Sequence, residues 1–463
     1  MNIIDVLKEY AKFPGISADP AYAGGIRETY EYLAKLLAAA GAVPEIVPTH
    51  GNPVVVGRFN AERTDLPHIV VYGHYDVQPV DPVNLWETPP FEPTVRGRRI
   101  YGRGTADNRG PHAVSVVALA NLRERRPDLP LRITFVFEGE EEIGSTHFGE
   151  FLQAKKAELS TGDFVLLSDT SSPNENEIAI TIGLRGIAGL EVRLFGPNSD
   201  LHSGLHGGAV VNPLQALAEI CASLHARDGS VNVPGFYDGV QFPAQWERDE
   251  FARFPQSEEE YKEFLGVDAL YRQPDFSPLE APRFAPTLEF NGLGGGYQGN
   301  GSKTIVPAEA FAKITCRLVP GQDPFDVRAK VADTILKRVP AGIRATITPM
   351  QANPAYFVCP PNRPNTPPDM NPALARAFVA AEKIITEKFG TPPIYTREGG
   401  SIGIIEDFRR ETGMDALMIG FFTADSKIHA PNESADIPML EKGVETYAAI
   451  YESCAAETPK KEA

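Results

Sequence analysis

Acids and imidazoles recur in this chain where its apolar, β-rich runs end, and that placement limits what it can fold into. Gly73-His74-Tyr75-Asp76 follows HIVVY, Glu138-Gly139-Glu140-Glu141-Glu142 follows ITFVF, and Ser168-Asp169 follows FVLL. Gly104-Thr105-Ala106-Asp107-Asn108 precedes a helical stretch, and Ala424-Asp425-Ser426-Lys427-Ile428-His429 stands just beyond LMIGFF. In a parallel sheet the strand C-termini share one edge, and ligands bind there. Several acidic clusters converging on that edge would repel one another unless cations neutralised them. Two histidines with several carboxylates form a donor set suited to zinc or manganese. Taken singly, each cluster is ordinary: a strand-end histidine is commonly a hydrogen-bonded structural residue, and a Glu run is commonly a solvated face. Jointly they point to a metal centre.

The rest of the chain supplies the sheet that this reading needs. Apolar residues recur at helical spacing from Ile3 to Ala40, with Gly41 suited to a helix end. The β-rich runs NPVVVGRF and HIVVYGHYD follow, then a helix over about 112–126, then LRITFVFEGEEE and DFVLLSDT. Strands alternating with helices predict an α/β domain with a mostly parallel central sheet flanked by helices. Around Gly183 the texture changes to two strand–helix pairs, GIAGLEVRLFG with VVNPLQALAEICASLHA and AEAFAKITCRLVP with DVRAKVADTILKRV. These predict a smaller α+β domain over 184–359, inserted into a catalytic domain of 1–183 and 360–463. Residues 246–283 read as an exposed excursion, and NPAYFVCPPNRPNTPPDMNP as a linker. A helix over ALARAFVAAEKIITEKFG and strands over IYTREGG and ALMIGFF return to the first domain. The tail ETPKKEA is expected to be disordered.

A length of 463 residues suits two or three domains. The net charge of −17 argues against a nucleic-acid partner. Neither a basic run nor about 18 consecutive apolar residues suggests a membrane. The N-terminus MNIIDVLKEYAKFPG lacks a secretory pattern, and the four cysteines are scattered without a CxxC pair. A reduced, cytoplasmic protein is the expectation.

The motifs also resemble a known family. His74-Tyr75-Asp76-Val77-Gln78-Pro79 is similar to the first metal motif of the M20 metallopeptidases, in their carnosinase-like dipeptidase branch. Tyr101 to Asp107 (YGRGTAD) resembles the bridging-aspartate motif, and Glu138 to Ser145 (EGEEEIGS) the base-plus-ligand motif. Asp200-Leu201-His202-Ser203-Gly204 and Arg397-Glu398-Gly399-Gly400-Ser401-Ile402 resemble two further signatures, and His429 stands where a last ligand is expected. The matches keep family order from residue 74 to residue 429.

The resemblance implies two divalent metal ions per subunit, zinc ahead of manganese. Asp107 would bridge them, His74 and Asp169 would complete one site, and Glu142 and His429 the other. That leaves an open position for water, as a catalytic site requires. Glu141 would be the general base, and Asp76 would fix the His74 imidazole. His202 would donate to the oxyanion, commonly across a homodimer formed through the inserted domain. Thr304 and Arg317 would hold the C-terminal carboxylate of a small peptide, with Gly400 and Ser401 lining the same pocket. The family also implies a cis peptide after the bridging aspartate. One departure stands out: Asn108 and Arg109 replace the usual Asp and Lys.

The implied reaction is hydrolysis of a dipeptide amide bond, with an N-acyl-amino-acid deacylase as the alternative on the same site. Two remoter readings are a serine hydrolase, with Ser401 in a G-x-S-x-G string served by Asp425 and His429, and a non-catalytic binding protein. The first gives His74, Asp107, Glu141, Glu142 and Asp169 no purpose. The second would be signalled by loss of the base or a ligand, and none is missing.

Overall fold

In a computed structural model describing residues 1–400 and 402–455, these β-rich runs form the middle of a nine-stranded sheet. Arg132–Glu138, His68–His74, Phe164–Leu167 and Ala416–Ile419 lie side by side and run parallel. All their residues are buried, which is why they read as continuous apolar runs rather than alternating ones. Towards its margins the sheet is mixed. Val54–Phe59 and Val43–Val47 continue it antiparallel beyond Arg132–Glu138. On the other side Ala179–Leu184 runs antiparallel to Ala416–Ile419 and also pairs with Tyr356–Phe357 and Ile394–Glu398. Parallel pairing thus joins the four central strands, whose C-terminal ends form one edge, and recurs between Ala179–Leu184 and Ile394–Glu398.

Helices flank this sheet. Arg109–Arg125 is buried along nearly its whole length and packs against Ile3–Tyr10 and Ile437–Ala455. Its His112 ring lies 4.7 Å from that of Phe137. A second pair, Phe148–Leu159 and Gly403–Thr412, is seated by Tyr72, Phe148 and Phe408, whose rings meet edge-to-face at 5.8 Å. No helix among the described residues is long and apolar enough to cross a membrane.

A separate antiparallel sheet follows Arg185, in the order Thr287–Gly295, Glu309–Leu318, Gly186–Phe195, Arg344–Asn353. Its central strands alternate: Ala310, Ala312, Ile314, Cys316 and Leu318 are buried while their neighbours are not. The buried face meets helices Pro213–Ser223 and Pro324–Arg338, each opened by an Asn or Asp cap and a proline in its first turn. The strands Thr287–Gly295 and Arg344–Asn353 escaped the sequence reading. The latter is mostly exposed and carries no apolar run.

Two other segments differ from expectation. The Pro-rich stretch supplies the strand Tyr356–Phe357, with Val358 and Cys359 buried behind it. The supposed excursion holds three short helices, Gln245–Phe251, Glu258–Leu265 and Ala281–Phe284, with a small core of Phe251, Phe276 and Phe284. It packs on Ile394–Glu398 through Glu247, which accepts two hydrogen bonds from Arg397 at 2.7 and 2.9 Å. Both side chains are at most 4% exposed. Its charge suggested solvent because the partner lies 150 positions away. The tail ETPKKEA lies outside the described residues.

Breaking a buried ion pair strands the surviving charge, at about 3–5 kcal/mol. Glu247→Ala should therefore destabilise the protein by that amount in guanidinium titrations followed by circular dichroism. A loss below about 1 kcal/mol, the scale of a surface pair, would show that the Arg397 charge is satisfied elsewhere.

Candidate active site

Strand ends and the turns beyond them carry every proposed ligand. His74 closes its strand and is fully buried. Asp169 lies two residues past Phe164–Leu167, and Glu141 and Glu142 occupy a single 3-10 turn after Arg132–Glu138. His429 sits in a turn where Lys427, His429 and Asn432 all have left-handed φ, a strained choice for side-chain-bearing residues. Asp107 lies at the entrance to helix Arg109–Arg125, and the Asp107–Asn108 peptide is cis, as the resemblance implied.

Asp107 is the centre of the cluster. Its Oδ1 lies 3.1 Å from His74 Nε2 and its Oδ2 lies 2.9 Å from His429 Nε2. Asp169 Oδ2 approaches the same His74 nitrogen at 3.5 Å, and Glu142 Oε2 approaches that of His429 at 3.3 Å. One donor atom each from His74, Asp107 and Glu142 lies within 4.8 Å of the others. The structure thus brings together all five side chains expected to hold metal.

Their electrostatics calls for cations. Burial, reinforced by Asp107 and Glu142, pushes the Asp169 carboxyl up to about 7 against the pull of His74. Burial likewise raises Glu142, although the His429 hydrogen bond opposes it. Hydrogen bonds to Asp107 and Glu142 drive His429 up to about 10. Burial disfavours a charged His74, yet Asp169 and Asp107 outweigh it and raise its pKa. The crowded carboxylates thus favour positive charge at this spot, and a divalent ion bound there would compete with protons for the imidazoles. Glu142 Oε1 is moreover a buried acceptor without a hydrogen-bond partner. Three carboxylates and two imidazoles fit zinc or manganese.

Surrounding residues fix the donors. His74 Nδ1 faces the Asp76 carbonyl at 3.2 Å and its carboxylate at 3.3 Å. Gln78 donates to Glu142 Oε2 at 2.9 Å, and Asn108 donates to Asp169 Oδ1 at 2.7 Å. An ionised aspartate at 108 could not make that second bond, so the departure Asn108 gives Asp169 a donor. Arg109 is buried and donates to the carbonyls of Tyr75, Tyr10 and Phe13, a clamp on the chain rather than a ligand. Sequence reasoning missed Glu433, which is wholly buried and accepts from the backbone N–H groups of Gly104, Ala106 and Asp107 and from Arg103. Its position four residues after His429 was the only signal. Within the acidic run, Glu140 is taken up by His147 and Asn52, and Glu138 by Tyr72 and Ser145. Glu141 and Glu142 are left to the site.

The residues expected to meet substrate fall into two groups. Arg317 lines a cavity of about 430 Å³ between the antiparallel sheet and the helical excursion. Gly400, with Glu398, lines a neighbouring cavity of about 540 Å³ that extends to Ile428, beside His429. His202 and Thr304 are not with them. His202 ends a two-residue strand paired with Ile305–Val306, and Thr304 directly precedes that partner strand and accepts from the Ser203 N–H. Both are exposed, and among the described residues no hydrogen bond or ion pair links His202 to the cluster. His202 Nδ1 accepts from the Gly204 N–H at 3.0 Å. Ser401 lies outside the described residues. The other members of the serine-hydrolase reading are committed elsewhere, since Asp425 pairs with Arg99 at 2.7 Å and His429 faces Asp107 and Glu142.

A family model described as Peptidase family M20/M25/M40 matches residues 70–453. The Cys-Gly metallodipeptidase dug1 of Schizosaccharomyces pombe is 27% identical over 413 residues, 88% of this chain and 84% of that protein. The human Beta-Ala-His dipeptidase is 27% identical over 434 residues, 92% of this chain and 82% of that protein. Among solved structures, the M20 family metallo-carboxypeptidase Sso-CP2 from Sulfolobus solfataricus superposes with a TM-score of 0.84 at 29% identity, covering 98% of this chain and 100% of that one.

A ligand that binds only the folded state stabilises it by about 2.7 kcal/mol at a hundredfold excess over Kd. Zinc or manganese should accordingly raise the melting temperature of chelator-stripped protein, and Asp107→Ala should abolish the shift. An equal shift in that variant would place the ion elsewhere.

Proposed function

The chain belongs to peptidase family M20/M25/M40, and on that basis we propose a dipeptidase that uses two divalent ions to hydrolyse dipeptides bearing a free C-terminal carboxylate. The observation that carries this reading is the division of Asp107, one oxygen towards His74 and the other towards His429. That is the disposition of a bridging ligand, with Asp169 beside the first histidine and Glu142 beside the second. The names of the dipeptidase relatives support the substrate class.

Zinc, or alternatively manganese, would supply Lewis acidity and make water acidic enough to attack at neutral pH. The remaining tasks fall to the chain. Burial raises the Glu141 carboxyl well above its ordinary range, and Asp169, Glu142 and Asp107 add to the effect although His74 opposes it. Such a group takes a proton from the attacking water and returns it to the leaving amine. Asp76, behind His74, keeps that imidazole oriented. Arg317 takes the C-terminal carboxylate as a bidentate partner, with Gly400 lining the neighbouring cavity.

His202 stabilises the oxyanion from the partner subunit of a homodimer formed through the inserted domain. Because its Nδ1 accepts a hydrogen bond from Gly204, the ring proton belongs on Nε2, which is then a donor. Its exposure, with no hydrogen bond or ion pair from it to its own subunit's cluster among the described residues, favours action across a two-fold interface, which completes both sites at once.

A panel of dipeptides and N-acyl amino acids, with metal-stripped enzyme restored by each ion separately, tests the activity. Turnover of N-acyl amino acids alone would replace the dipeptidase reading with a deacylase. Glu141→Gln should retain metal and fold but lose about 10²–10⁴-fold in rate; near-normal turnover with metal bound would move the base elsewhere. Mixing inactive His202→Ala and Glu141→Gln proteins under conditions of subunit exchange should restore activity, because a mixed dimer has one intact site. No recovery after verified exchange would mean that His202 serves its own subunit.

A further inference from the structure

A chain of buried hydrogen-bonding groups runs from the first helix to the metal cluster. Tyr10 ends helix Ile3–Tyr10, and its hydroxyl lies 3.1 Å from His112 Nε2. His112 Nδ1 lies 3.3 Å from Asn108 Oδ1, and Asn108 Nδ2 donates to Asp169 Oδ1 at 2.7 Å. Tyr10, His112 and Asn108 are each at most 1% exposed. The packing around them is tight: a Cβ added at Gly73 would lie 2.6 Å from His112 Cβ and 3.1 Å from Asn108 Oδ1. Arg109 secures the far end. It donates to the Tyr10 carbonyl at 3.2 Å, and its guanidinium lies 5.2 Å from the centre of that ring.

Hydrogen-bond chemistry gives this chain of groups a direction. As an ionised metal ligand Asp169 can only accept, so the Asn108 amide turns its NH2 group towards it and its oxygen towards His112. That oxygen in turn can only accept, so His112 carries its proton on Nδ1. Burial, with the charges of His74 and Arg109, holds the His112 pKa well below its usual value, so the ring is neutral and has no second proton. Nε2 is then an acceptor, and the Tyr10 hydroxyl, which burial keeps protonated, donates to it. The reverse order would set the Asn108 oxygen against the Asp169 carboxylate, two buried acceptors with no proton between them.

We propose that Tyr10, His112 and Asn108 are positioning residues for Asp169. They form a directed relay that engages Oδ1 and leaves Oδ2, the oxygen 3.5 Å from His74 Nε2, to hold the metal ion. This rests on the two-metal reading, in which His74 and Asp169 share one ion. Partners behind a ligand orient it and tune its affinity for metal. Because every link is directional, loss of the His112 donor lets the Asn108 amide turn over and present its oxygen to Asp169. The relay also joins the two departures from the family pattern: Asn108 stands at one end, and Arg109 fixes Tyr10 at the other.

His112 gives the sharpest test, because asparagine carries an amide N–H on Cγ where histidine carries Nδ1. Calorimetric titration of chelator-stripped wild-type protein with zinc should show two ions bound. In Asn108→Leu and His112→Leu one of them should bind about 10–100-fold more weakly. His112→Asn should recover most of that affinity, although its smaller side chain leaves the larger cavity and the lower melting temperature. A role in packing alone would rank the two His112 variants the other way. Tyr10→Phe should show a smaller loss, and wild-type affinity there would remove Tyr10 from the relay. Wild-type affinity in folded Asn108→Leu overturns the proposal, and so does His112→Leu binding zinc as tightly as His112→Asn. If the variants do not fold, proton–nitrogen correlation spectra of wild-type protein with nitrogen-labelled histidine decide. A proton on His112 Nδ1 supports the relay, and one on Nε2 alone overturns it. Wild-type protein that takes up no zinc removes the two-metal reading itself, whereas tight binding indifferent to these substitutions removes only the relay.

Discussion

A single buried carboxylate holds the two halves of the histidine–carboxylate cluster in register. Glu433 accepts three backbone N–H groups from the Gly104–Asp107 loop and pairs with Arg103 at 2.7 Å, with both charged side chains at most 1% exposed. The loop presents Asp107, and Glu433 itself follows His429 by four residues. Asp107 and a histidine more than 300 positions away are thereby fixed relative to each other by charge-assisted hydrogen bonds between buried groups. The distances from Asp107 to His74 and His429 depend on this anchorage.

A comparable arrangement governs the substrate side. Arg397, lying over the rings of Phe357 and Phe284, holds Glu247 and with it the helical excursion against strand Ile394–Glu398. The excursion in turn supplies Tyr261 and Pro282, the residues common to both cavities. The metal cluster and these cavities are therefore built by different means. Converging strand ends make the first. A charged insertion folded back by one buried ion pair walls the second.

The site was more legible in the sequence than its surroundings. His74, Glu142, Asp169 and His429 stand at strand ends or in the turns beyond them, where a donor following an apolar run draws notice. Asp107, at the entrance to a helix, was singled out by the motif YGRGTAD and its family resemblance. Asn108 shows how local a misfit can be: a departure from the family pattern, it lies against Asp169 as a hydrogen-bond donor. Arg109, beside it, faces away and clamps three carbonyls. Residues that act through a distant partner gave no such signal. Glu433 and Glu247 each read as an ordinary charged residue until their contacts are known.

The sequence by itself determined the parallel strands at the centre of the sheet and the strand–helix pairs of the second sheet, and its resemblance to a family named the candidate metal ligands. The strands and the strand–helix pairs follow from short-range information, namely apolar periodicity. Only the tertiary structure decided what holds the other acids of the run, Glu138 by Tyr72 and Glu140 by Asn52 and His147. It alone folded the 246–283 segment inward and made Tyr356–Phe357 a strand. Long-range pairing decides such matters, and the energy of a buried charge depends on a partner whose distance along the chain carries no trace in local composition.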